Sequence, residues 1–166
     1  MRKIVIASGI FLIVCIGFIF YFLFKPKYRN VSNEKPFSEI VNKKLITKKR
    51  ALLLNPIDSS KDENYSYHLE DGTSYGMDSG LEIIAEIPIA TEVIIDKVEL
   101  HTGRVSGTTT AYLFGKVYSE DIQGCYNFQY TWGDYHVLYE DKPYWTFPLA
   151  FWQNQPLTEK YVIKVP

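Results

Sequence analysis

From Ile4 to Phe24 the chain carries no charged residue and is interrupted only by such small or polar residues as Ser8, Gly9, Cys15, Gly17 and Tyr21. As a helix rising ~1.5 Å per residue, this run reaches about 31 Å, which matches the hydrocarbon core of a bilayer. Helices of water-soluble domains rarely stay apolar all round for so long. Phe18, Phe20, Tyr21, Phe22 and Phe24 crowd its far end, where aromatic rings favour the headgroup boundary. A cleaved signal peptide has a shorter apolar core and a small-residue cleavage site after it. Here the run passes directly into Lys25-Pro26-Lys27-Tyr28-Arg29. Cys15, behind Val14 in mid-run, is not placed for a lipoprotein leader. Residues 1–24 are therefore expected to be one N-terminal transmembrane helix, an uncleaved anchor that holds the chain in the membrane through Ile4 to Phe24. Lys25, Lys27, Arg29 and Lys35 follow the run. Even so, Arg2 and Lys3 just before a first apolar helix are the usual layout of a signal anchor, so the remainder is expected to be exported.

Residues 25–36 are polar, contain Pro26 and Pro36, and show no apolar period, so they read as a linker. The rest, 37–166, is long enough for one compact domain. Ser38 is placed to cap a single helical turn, and beyond it the chain is β-rich, with turn residues at short intervals. Strands are expected at Leu45 to Leu54, Tyr65 to Leu69, Leu81 to Ile87, Glu92 to His101, Thr108 to Tyr118 and Cys125 to Trp132. Alternation in the fourth changes phase near Ile95-Asp96, which predicts a bulge or sharp bend. The last is the clearest: Tyr126, Phe128, Tyr130 and Trp132 share one face, and Cys125, Asn127, Gln129 and Thr131 the other. The aromatic face is expected to be core, with Asn127 and Gln129 toward solvent or an edge. Cys125 is expected to be a small buried residue. The expected fold class is all-β, a small antiparallel barrel or sandwich.

Ile87-Pro88-Ile89-Ala90-Thr91-Glu92-Val93-Ile94-Ile95 resembles the I-P-x-G-T-x-V-x-I run of bacterial SH3-like barrel domains, with Ala90 in place of the glycine. The resemblance extends over Leu81 to Gly133 and implies an SH3-like barrel in a membrane-anchored envelope protein. Together with the anchor layout, the expected location is the bacterial inner membrane, with the C-terminal domain exported.

Few residues are spaced for chemistry. His68, His101 and His136 are too scattered for a zinc set. Residues 58–64 look superficially like a calcium loop, but Lys61 opposes the metal charge, Glu63 stands where glycine is needed and Leu69 where the bidentate carboxylate belongs. No phosphate loop, nucleophile elbow or Cys/His pair is legible. No metal, cofactor or catalytic residue is expected, and the chain reads as a non-enzyme. From Ala51 onward, 7 Lys or Arg face 17 Asp or Glu, a balance that argues against nucleic acid. The one basic cluster, Lys43, Lys44, Lys48, Lys49 and Arg50, is expected to meet the acidic remainder or to solvate an edge strand.

The stretch Pro143 to Gln153, PYWTFPLAFWQ, is densely aromatic. Most of it is expected to be core, with Trp145, Phe147, Leu149 and Phe151 covering an open end of the sheet. Tyr144, Trp145 and Trp152 are the candidate binding surface, because Trp and Tyr serve both as glycan platforms and as interface anchors. The leading expectation is a membrane-anchored, non-enzymatic binding or accessory module that contacts another envelope protein. The alternatives are a cell-wall or glycan-binding module built on the aromatic C-terminal region, a toxin-neutralising immunity-type protein, and a hydrolase with an unseen carboxylate pair.

Overall fold

The structure is a computed structural model that describes residues 11, 14–18, 20, 21, 25, 27–55, 60–71, 81–104, 106–119, 124–138 and 140–166. The expected membrane span lies largely outside the described residues. Those within it, Phe11, 14–18, Phe20 and Tyr21, are helical. Among the described residues no helix is long and apolar enough to cross a membrane.

Among the described residues the remaining structure is all-β apart from a single 3-10 turn at Phe37–Glu39. The strands are β1 Lys27–Asn30, β2 Lys44–Ile46, β3 Ala51–Asn55, β4 Tyr67–Glu70, β5 Glu82–Ile87, β6 Glu92–Thr102, β7 Thr109–Ser119, β8 Gly124–Thr131, β9 Asp134–His136 and β10 Tyr144–Thr146. The main sheet runs β1-β6-β7-β8-β4-β3-β5, with β2 also on β6, while β9 and β10 form a separate ribbon. The sheet is open rather than a closed barrel: its path ends on β1 and β5. Nor is it purely antiparallel, because β4 runs parallel to β8.

Several expectations are corrected by long-range pairing. Lys27–Asn30, read as linker, lies along Glu99 to Thr102 of β6 as an added strand. The 3-10 turn has Pro36, not Ser38, at its N-cap, with no side-chain cap. The single strand expected over Leu45 to Leu54 is two, β2 on β6 and β3 between β4 and β5. Thr47 sits at the break, fully buried. Its hydroxyl donates to the Pro88 carbonyl at 2.7 Å and accepts from the Thr91 amide at 2.9 Å. Leaving the strand there lets the chain clamp the turn ahead of β6.

That turn carries Ala90 at φ 72°. A side chain in this left-handed region costs about 1–2 kcal/mol, which glycine avoids. Ala90→Gly is therefore expected to stabilise the fold by ~1 kcal/mol, part of the gain being lost to the freer unfolded chain. The measurement is a rise in the denaturant midpoint with an unchanged slope.

The phase change near Ile95-Asp96 is a true irregularity: the β6–β7 register shifts between Ile95 and Lys97. Before and after it, Val93, Ile95, Val98 and Leu100 all reach the core. The aromatic C-terminal segment packs over this core face. Trp132 lies 4.6 Å from Phe147 and 5.0 Å from Trp152, ring centre to ring centre, and Tyr130 lies 5.1 Å from Phe151. The Trp132 indole donates to the Pro148 carbonyl at 2.8 Å. The basic cluster meets acidic partners: Lys44 with Glu92 at 3.0 Å, Arg50 with Glu86 at 3.2 Å and Lys49 with Asp71 at 3.7 Å.

Candidate functional site

Beyond its bulge, β6 directs Val98 and Leu100 into the core, so Lys97, Glu99 and His101 take the opposite face of the sheet. Across the ladder they stand opposite Phe114, Tyr112 and Thr110 of β7. Phe114 is fully buried although it faces away from the main core. Its cover is the segment 60–65. Tyr65 packs 5.1 Å from the Phe114 ring, the Lys61 amide donates to Gln129 Oε1 at 3.0 Å, and Asn127 Nδ2 donates to the Asn64 carbonyl at 3.0 Å. Gln129 is thereby buried, contrary to the expectation that it faces solvent. Cys125, expected to be buried, is exposed.

Lys97 is the hub. Its Nζ donates to Asp62 Oδ2 at 2.7 Å and to Glu99 Oε1 at 2.8 Å, and sits 4.8 Å from the Phe114 ring centre. Glu99 Oε2 lies 3.0 Å from His101 Nε2. His101 is in turn stacked with the exposed Tyr28 of β1 at 5.8 Å. The Tyr65 hydroxyl donates to Asp96 Oδ2 at 3.3 Å, and Lys116 pairs with the same carboxylate at 3.4 Å.

The charges hold one another in place. The hydrogen bond from Lys97 keeps the Asp62 carboxyl below the usual carboxylate range. Burial alone would lower the Lys97 ammonium, but its hydrogen bonds to Asp62 and Glu99 outweigh that and raise it. Burial, reinforced by Asp96, pushes the Tyr65 phenol up. Chemically this makes a clamp: an ammonium kept charged between two carboxylates fastens segment 60–65 to the sheet. The segment that looked superficially like a calcium loop has lysine as the cation on Asp62. Among the described residues no group of His, Cys, Asp and Glu is arranged to hold a metal.

The three residues expected to form a binding surface do not come together as one. Trp145 is 0% exposed, with Tyr135 at 5.0 Å, and its indole N–H has no hydrogen-bond partner among the described residues. Trp152 is 8% exposed, wedged against Tyr130, Trp132 and Phe151. Both rings fill the layer over the sheet, because Pro143 and Pro148 bracket a segment that β10 pairs to β9 in the register Trp145↔Tyr135. Only Tyr144 reaches the surface in part, stacked on His136 at 4.8 Å with Lys160 Nζ 3.9 Å from its ring centre.

The chain matches no protein-family model, no curated protein and no solved structure. The Lys97 cluster is the one that sequence reasoning missed. Its signal was present in the alternation Lys97-x-Glu99-x-His101, out of phase with Val98 and Leu100. One further feature stands open. Among the described residues β5 ends the sheet, pairing on one side only, with β3, and it exposes Ile83 at 59%; Ile89, in the turn after it, is equally exposed.

Proposed function

We propose that this protein is a membrane-anchored, non-enzymatic binding module of the cell envelope, and that an extended segment of another envelope protein adds to its sheet along β5. The observation that carries the reading is that edge. A strand with one side unpaired among the described residues and a solvent-facing isoleucine is a template for strand addition, in which main-chain bonds supply affinity. Glu82 and Glu86 lie on β5 in a strongly acidic domain, so the incoming segment is neutral or basic. The anchor rests on the uncharged run Ile4 to Phe24 and on its described helical residues, where Phe11, Phe18, Phe20 and Tyr21 are exposed. On this reading the domain is exported from a bacterial inner membrane, and Leu81 to Gly133 is an open variant of the SH3-like arrangement.

The test is photo-crosslinking in the full-length protein in its own membrane. A crosslinking residue at Ile83 or Ile89 is expected to give one discrete adduct, and a control at Tyr118, also exposed but on β7, none. The Ile83 adduct should weaken when Ile89 becomes lysine, because a charge on an edge deters pairing. Equal adducts at all three positions, or none at Ile83 and Ile89, overturn the reading. An adduct of twice the chain's own mass would make the partner a second copy and remove the envelope partner.

A further inference from the structure

A groove runs between the turn joining β6 to β7 and the ribbon strand β9, beyond the His101 end of the Lys97 cluster. It consists of two adjoining hollows of about 460 and 380 Å³ that share Thr108, Thr109 and Tyr135 in their walls. Thr110, Thr131 and Asp134 line the second hollow, and Val137 and Leu138 the first. Each volume lies within the usual range for small-molecule sites.

We propose that this groove binds a neutral saccharide, with sugars bearing N-acetyl groups the best fit. Its lining is dense in hydroxyls, which both donate and accept and so match the hydroxyls of a sugar ring. The buried Thr109 hydroxyl is hydrogen-bonded to that of its cross-strand partner Thr102 at 2.9 Å, which fixes its position in the wall. Thr131 and Asp134 are exposed at the rim. Among the described residues the Asp134 carboxylate has no ion-pair partner. It is placed to accept two ligand hydroxyls in charge-assisted bonds. No lysine or arginine lines either hollow among the described residues. A phosphate, a sulfated sugar or a nucleotide would therefore meet the Asp134 charge with no lysine or arginine to offset it and only the His136 imidazole in the wall of the first hollow. At the other end Val137 and Leu138 are exposed, Leu138 at 77%, in the hollow that Tyr135 also lines. An N-acetyl methyl or the C–H face of a pyranose would cover that apolar surface. Two joined hollows suit an oligosaccharide better than a single ring.

The experiment titrates the full-length protein in detergent micelles with tri-N-acetylchitotriose, followed by calorimetry, with a sulfated trisaccharide as comparator. Saturable binding is expected with a dissociation constant on the order of ~1 mM or tighter, and no saturation by the sulfated sugar. Asp134→Asn keeps the shape and removes the charge, and should weaken binding about tenfold. Thr110→Val should weaken it in the same direction with the thermal midpoint retained. The proposal is overturned if the chitotriose does not saturate, if the sulfated sugar binds as well, or if Asp134→Asn binds as the unaltered protein does. Because β5 takes no part in the groove, either outcome leaves the crosslinking result at Ile83 to be decided separately.

Discussion

Truncating Phe128 to alanine is expected to cost ~3–5 kcal/mol, the usual loss for a large aromatic side chain removed from a close-packed core. Phe128 is 0% exposed, stands opposite Gly115 on β7 and Tyr67 on β4, and meets the Phe151 ring edge-on at 6.5 Å. A cavity there opens beneath the aromatic layer as well as within the sheet. The neighbouring Gln129→Ala supplies the contrast. Read from the sequence, Gln129 faces solvent and its loss costs well under ~1 kcal/mol. In the fold its Oε1 satisfies the Lys61 amide, so truncation strands a part-buried donor and should cost ~1–3 kcal/mol. Denaturant unfolding of the two variants checks both statements. Phe128→Ala should still be the more damaging, and Gln129→Ala should be clearly above an exposed control such as Thr131→Ala.

Gly115→Ala should be damaging for the opposite reason. A Cβ at this position would stand 2.5 Å from the Ile94 carbonyl oxygen, 3.1 Å from Ile95 Cδ1 and 3.1 Å from Phe128 Cζ. The first contact is backbone in the β6–β7 ladder, where no rotamer change relieves it. Gly115 pairs with Ile95 immediately before the register shift, so the added methyl presses on the bulge that sets the phase of β6. The expected cost is ~3 kcal/mol, the upper end for an overpacked core. The two sites touch, so their effects should not add. In the Phe128→Ala background Gly115→Ala should cost less, because one of its three contacts is gone. It should not become neutral, because the Ile94 carbonyl remains. Denaturation midpoints of the two single variants and the double variant measure that coupling. Full additivity would show that the Phe128 ring does not lie across Gly115.

How much of this was legible depended on what each signal encodes. The shift of phase at Ile95-Asp96 marked a bulge because alternation is a property of one strand and needs no partner to be seen. The aromatic face was placed correctly at Phe128 and Tyr130 of β8 and at Trp132 just beyond its end, all buried, by the same period. Ala90 stands where the resembled pattern carries glycine, and its φ of 72° lies in the region that glycine favours. The candidate surface at Trp145 and Trp152 was misplaced. Aromatic density registers a need for apolar contact, but does not distinguish a ligand from the chain's own sheet.

By itself, then, the sequence determined the β class, the direction of each side chain relative to its own strand, the bulge in β6 and the acidic balance of the domain. Tertiary structure alone decided which faces are covered. Segment 60–65 turns the outer face of β6–β8 into a second packed layer through contacts such as Lys61 to Gln129 and Asp62 to Lys97. Lys27–Asn30 becomes a strand only because the backbone groups of β6 are there to pair with it. Leu45 to Leu54 breaks at Thr47 because a turn some forty residues later needs its hydroxyl. The parallel pairing of β4 with β8 follows the same rule. A local period states where a side chain points. What it meets there is set by the free energy of bringing distant segments together, and that is a property of the whole chain.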